Sequence, residues 1–122
     1  MLTGKIVRVR WVKPYQEAHN HVAIGEVQGE TPSYLLICCK TYHFGSAVGS
    51  GTVRLVSDRF VGGVVEGDRC VRAVPWSRIE VIHELPADTL WDVEALTDEA
   101  GCCWLNNKHK TAIAGRQGRQ SV

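Results

Sequence analysis

"RAVPWSRIEVIHEL", residues Arg72 to Leu85, reads as a strand, a sharp corner and a second strand. Proline locks φ and lacks an amide donor, so Pro75 stops ladder pairing at the corner. Val74 and Ile79 keep the apolar positions on either side, and Pro86 ends the second strand. Trp76 is large enough to cap one end of a small β-structure or to pack on a neighbouring subunit. The corner therefore joins two β-elements and leaves Trp76 and Arg78 at the join.

Working outward from the corner, residues 4–85 are rich in strand signals. In GKIVRVRWVK (4–13), Val7, Val9 and Trp11 alternate with Arg8 and Arg10, a period of two with one basic face. KPYQEAHNH (13–21) is polar and contains Pro14, so it is expected to be a loop. HVAIGEVQ (21–28) alternates around Gly25, and glycine inside a strand marks a bend or bulge. GETPS (29–33) is a turn by composition, and YLLICCKTYHF (34–44) is the most apolar run and the expected central strand. GSAVGSG (45–51) is glycine-rich. Residues 52–68 predict a hairpin around Gly62-Gly63, closed by a Glu66-Gly67-Asp68 turn.

Downstream the expected pattern changes. Leu90, Trp91, Val93, Ala95 and Leu96 predict a short amphipathic helix over 87–97, capped by Asp88 or Thr89 and stopped by Gly101. CCWLNNKHKTAIAG (102–115) predicts a hairpin turning at Asn106-Asn107, and 116–122 form a polar tail, expected to be disordered. The organisation expected is a β-unit over 1–85 with an inserted hairpin at 45–68, then a helix-and-hairpin appendage over 86–115.

The totals describe an ordinary globular chain: 122 residues, 44% hydrophobic, 22% charged, net charge +1. They announce neither a nucleic-acid nor a membrane partner. Charge is segregated along the chain, basic over Lys5–Lys13, acidic from Asp88 to Glu99, basic again from Lys108 to Arg119. No run is apolar for the roughly 18 residues of a spanning helix, and the N-terminus has no apolar leader stretch. With five cysteines, two pairs of them adjacent, free thiols in a reducing compartment are the simplest expectation, and the cytoplasm is the expected location.

The mid-strand glycine (VAIGEV), the short turn, the apolar strand (YLLI), the variable loop and the tight corner (RAVPWSRIEVI) together resemble the Sm-like family, which includes bacterial RNA chaperones. The resemblance covers about residues 4–85. It implies a mainly β chain with a small, strongly bent, five-stranded Sm-like or SH3-like barrel, here carrying the C-terminal helix and β-hairpin. It also implies a non-enzymatic homo-oligomeric ring, built by pairing the fourth strand of one copy with the fifth of the next, with RNA or another polyanion as ligand. The Asp and Asn that many members carry around the turn before the apolar strand are replaced by GETPSY, and their Arg-Gly corner by Pro-Trp. The residues expected to meet nucleic acid are Trp76 for stacking, Arg78 for phosphate, Ser33 and Tyr34 at the turn, and Arg8 and Arg10 on the basic strand.

Other chemistries have weaker signals. Cys39, His43, Cys103 and His109 are a conceivable zinc set, but adjacent cysteines on a strand point to opposite faces, so one of each pair is the most a shared metal takes. His19 and His21 share a side if extended. Cys70 and His83 are a nucleophile and a base without a triad signature, and GSAVGSG lacks the Gly-Lys-Ser/Thr of a phosphate loop. Neither a catalytic residue nor a cofactor is expected. Alternatives to RNA binding are an oligomeric scaffold without a nucleic-acid role and a small Cys/His metal barrel, with an OB-like barrel as the alternative fold.

Overall fold

The computed structural model describes residues 1–11, 21–44, 59–61, 64–99 and 102–114. Apart from His21, the expected loop at 13–21 lies outside them, His19 included, as do the glycine-rich stretch 45–51, Gly62-Gly63, Gly101 and the tail.

The chain is mainly β. Among the described residues nine strands form: β1 (Ile6–Trp11), β2 (His21–Glu30), β3 (Tyr34–Phe44), β4 (Arg59–Val61), β5 (Val64–Pro75), β6 (Ile79–Glu84), β7 (Ala95–Thr97), β8 (Cys103–Leu105) and β9 (Ala112–Ala114). Among the described residues the only helical element is the 3-10 turn Trp76–Arg78 at the corner. One antiparallel sheet has the order β4-β5-β3-β2-β1-β6, and a second has the order β7-β8-β9.

At Gly25, paired with Cys39, β2 and β3 approach so closely that a Cβ would lie 2.0 Å from the Cys38 carbonyl oxygen and 2.6 Å from the Cys39 Cα. Only glycine leaves room for that approach. The irregularity in register falls further on, between Val27 and Gly29. The expected hairpin near residue 62 is present as β4 paired with β5, Val61 opposite Val64. Its expected closing turn is not a turn. Glu66, Gly67 and Asp68 lie within β5, where the register against β3 shifts between Lys40 and Tyr42, so the small polar residues are absorbed as a bulge.

Both faces of the large sheet are buried at its centre. On one face Val7, Val9, Ala23, Val27, Leu35, Ile37, Cys39 and Val74 form a cluster, closed by Trp11, Trp76, Ile79 and Ile82. On the other, Val22, Ile24 and Tyr42 pack against Ala95, Cys103, Leu105 and Ile113 of the small sheet. Residues 21–25 of β2 are therefore buried without interruption, as expected for a strand covered on both sides.

The helix expected over 87–97 does not form. Residues 90–95 alternate instead: Trp91 and Val93 are half-buried and Ala95 buried, while Leu90, Asp92 and Glu94 are exposed. That is a period of two, and it runs into β7. Pro86 opens the segment with a tight turn, the Thr89 amide donating to its carbonyl at 3.0 Å. The pairing of Ala95 with Leu105 supplies β7 with a ladder that a helix would forfeit. The hairpin downstream forms from β8 and β9, and its turn spans residues 106–111 with Lys110 at φ 48°, rather than closing at Asn106-Asn107.

Candidate functional site

The corner is assembled from three segments. Pro75 (φ −59°, ψ 136°) continues β5 in extended geometry and stands opposite Tyr34, the first residue of β3. The turn before β3 is held by Thr31, whose Oγ1 accepts from the amides of Ser33 (3.2 Å) and Tyr34 (3.0 Å). That is the local bonding which makes threonine and serine turn formers. The Trp76 amide then donates to the Ser33 carbonyl at 3.2 Å, and its indole Nε1–H donates to the Thr31 carbonyl at 2.7 Å. The indole body packs on the first core cluster.

Trp76 is thus an anchor that joins the corner to the β2–β3 turn, with its donor used and its ring half-buried. Ser33 and Tyr34 stand beside it on the outside, both exposed, and Arg78 is half-buried at the end of the 3-10 turn. The structure brings these four expected residues to one end of the sheet.

Arg8 and Arg10 are not there. Each is 6% exposed and lies on the face covered by the small sheet, opposite Ile24 and Val22 respectively. Arg8 Nη2–H donates to the Ile113 carbonyl at 3.2 Å, and its Nη1 lies 3.4 Å from His83 Nδ1. Arg10 Nε lies 3.1 Å from Glu80 Oε1. Burial, and after it the neighbouring charge of Arg10, lower the Arg8 pKa from its ordinary value. The basic strand is therefore a buried polar seam rather than a surface for phosphate. Nor is it an edge strand with charges against aggregation, because β1 lies between β2 and β6.

The margins of the large sheet are the second feature. Among the described residues β6 pairs with β1 on one side only, and β5 beyond Glu66 pairs with β3 on one side only. Among the described residues no ladder joins β5 to β6, so the sheet is open along both. The corner connects these two margins directly. Val71, on the β5 margin, is 61% exposed, and Arg72 and Ala73 beside it are also exposed.

The conceivable metal set does not come together. Cys39 is in one core cluster and Cys103 in the other. His109 Nε2 lies 2.6 Å from Asp88 Oδ1, and the ring of His43 lies tilted against His21 at 3.8 Å between centroids. Among the described residues no group of three or more His, Cys, Asp or Glu side chains is placed to hold a metal ion. Cys70 pairs with Cys39, whereas His83 pairs with Arg8 on the other face, so they are not a nucleophile and its base. Among the described residues no helix is long and apolar enough to cross a membrane.

One polar feature was not foreseen. Lys40 Nζ lies 2.6 Å from Glu66 Oε2, with the two side chains 13% and 5% exposed, and it also donates to the Val93 carbonyl at 3.1 Å. This buried pair ties β3 and β5 to the segment leading into the small sheet. The signal for it was a lysine inside the most apolar run of the chain.

No protein-family model, curated protein or solved structure matches the chain.

Proposed function

We propose that this protein is a non-enzymatic, self-assembling module of Sm-like type, in which the sheet curls into a small barrel and copies join through the β5 margin of one and the β6 margin of the next. The observation that carries this reading is the pair of open margins meeting at the Trp76–Arg78 corner, in a sheet whose main strands run β5-β3-β2-β1-β6. Unpaired margins with exposed apolar side chains are templates for pairing, and sister copies satisfy them most simply. The β5 margin exposes Arg72, which has no acidic partner among the described residues, and the β6 margin exposes Glu80 and Glu84, whose carboxylates pair with Arg10 and Lys5 of the same chain.

Mass measurement of the intact assembly by native mass spectrometry or light scattering tests the proposal. The wild-type protein is expected at a multiple of its 13.5 kDa chain mass. Val71→Glu places an acid on the β5 margin without touching the core, and is expected to return the protein to the monomer with its fold intact. A wild-type monomer at micromolar concentration would overturn the reading.

A polyanion-binding role is favoured by one arrangement, the exposed Tyr34 beside a corner whose Arg78 also lacks an acidic partner among the described residues. In this version Tyr34 stacks a base and Arg78 meets phosphate, while Trp76 only holds the corner. Binding of an RNA pool that falls steeply with salt and is lost in Tyr34→Ala with Arg78→Ala is the expected result. A pool left unbound at low salt leaves the scaffold role alone.

A further inference from the structure

Cys39 and Cys70 stand directly opposite each other across the β3–β5 ladder, in a stretch of unbroken register. Directly opposed residues of an antiparallel pair have Cα atoms about 4.5–5.5 Å apart. A disulfide accepts Cα separations of about 4.4–6.8 Å. Both side chains belong to the same face: Cys39 is a fully buried member of the first core cluster, and Cys70 packs against that cluster from β5. Cys38 faces the other way, and Cys103 lies in the second cluster. All five cysteines are free thiols.

We propose that Cys39 and Cys70 are a redox modification site, which hydrogen peroxide converts from a dithiol to a cross-strand disulfide. The two thiols have different roles because their surroundings differ. Cys70 is half-buried and lies on the strand whose far margin is open, so the oxidant reaches it first. Burial, with the adjacent Cys70 sulfur acting the same way, pushes the Cys39 thiol up to about 12, against a smaller opposing effect of the Arg72 guanidinium. Cys39 is thus protected from direct oxidation and resolves the product formed at Cys70.

In the first step the Cys70 thiolate attacks peroxide. An S–O bond forms, the O–O bond breaks, and the departing hydroxide takes a proton to leave as water. Cys70 becomes a sulfenic acid, oxidised by two electrons as the peroxide is reduced. In the second step Cys39 Sγ attacks the sulfenic sulfur. The S–S bond forms, the S–O bond breaks, and the Cys39 proton leaves with the hydroxide as a second water. The inference rests on the β3–β5 register and stands whether or not the protein assembles.

The 122-residue chain is treated with hydrogen peroxide, then denatured and its thiols counted, with the cross-linked peptides mapped by mass spectrometry. The count is expected to fall from five to three, with one intrachain link between Cys39 and Cys70 that dithiothreitol reverses. Cys38→Ser is expected to form the same link. Cys70→Ser, a change at a half-buried position, is expected to form no link at Cys39. Retention of all five thiols, or a link that runs instead through Cys38, Cys102 or Cys103, overturns the proposal. The wild-type measurement decides the question even if a variant fails to fold.

Discussion

Gly25→Ala is the substitution that asks most of this fold. The added methyl would sit 2.0 Å from the Cys38 carbonyl oxygen and 2.6 Å from the Cys39 Cα, both backbone atoms that no rotamer change can move aside. Relief requires β2 and β3 to part by more than 1 Å (about the shortfall from ordinary contact). Overpacking a buried site costs about 1–3 kcal/mol. Parting the strands also strains one or two ladder hydrogen bonds, each worth about 1 kcal/mol. A loss of about 2–5 kcal/mol follows from these terms together. Gly29→Ala, in the same strand, is the control, because a methyl there meets nothing within 4 Å and φ lies outside the left-handed region. That variant is expected within about 0.5 kcal/mol of wild type, or slightly more stable through reduced freedom of the unfolded chain. Urea unfolding followed by circular dichroism and extrapolated linearly reads both. If Gly25→Ala costs no more than Gly29→Ala, the close approach of β2 and β3 is not a feature of the native state.

Lys40→Met removes the ammonium that Lys40 brings to the Glu66 carboxylate and the Val93 carbonyl, and breaking a buried pair in this way costs about 3–5 kcal/mol; a urea midpoint close to wild type would show that the pair behaves like a surface one. Tyr42→Phe removes a buried hydroxyl that has no hydrogen-bond partner among the described residues, so stability is expected to hold or rise by about 1 kcal/mol, and a clear drop in thermal midpoint would reveal an acceptor. The Asp88 carboxyl is held below its ordinary value of 3.8 by hydrogen bonds from His109 first and Lys108 second. A depressed folded value means its contribution is present above the unfolded value and is lost as pH falls through the folded one. The stability difference between wild type and Asp88→Asn is therefore expected to be present at neutral pH and to vanish in acid, and a difference independent of pH would exclude the electrostatic origin.

Much of the large sheet was legible because strands with one dominant face announce themselves in steps of two. Val7, Val9 and Trp11 against Arg8 and Arg10 located β1, and Pro75 located the corner. The segment 90–95 was misread although its alternation was present: Trp91, Val93 and Ala95 are spaced by two, but Leu90 and Leu96 filled the gaps of a helical stripe. The bulge at Glu66-Gly67-Asp68 was equally ambiguous, since the residues that close a turn are also those a bulged strand tolerates.

The sequence by itself determined the β-class, the placement of β1 to β3 and β6, and the corner. These follow from local rules: side-chain alternation and the missing amide of proline. Only the tertiary structure decided that the small C-terminal sheet meets Arg8, that Arg10 is buried, that β3 lies close enough to β2 to require glycine at residue 25, that Lys40 meets Glu66, and that Cys39 faces Cys70. Each of those depends on which distant segment is laid against a face, and a pattern of polar and apolar residues states that a face must be covered without stating by what.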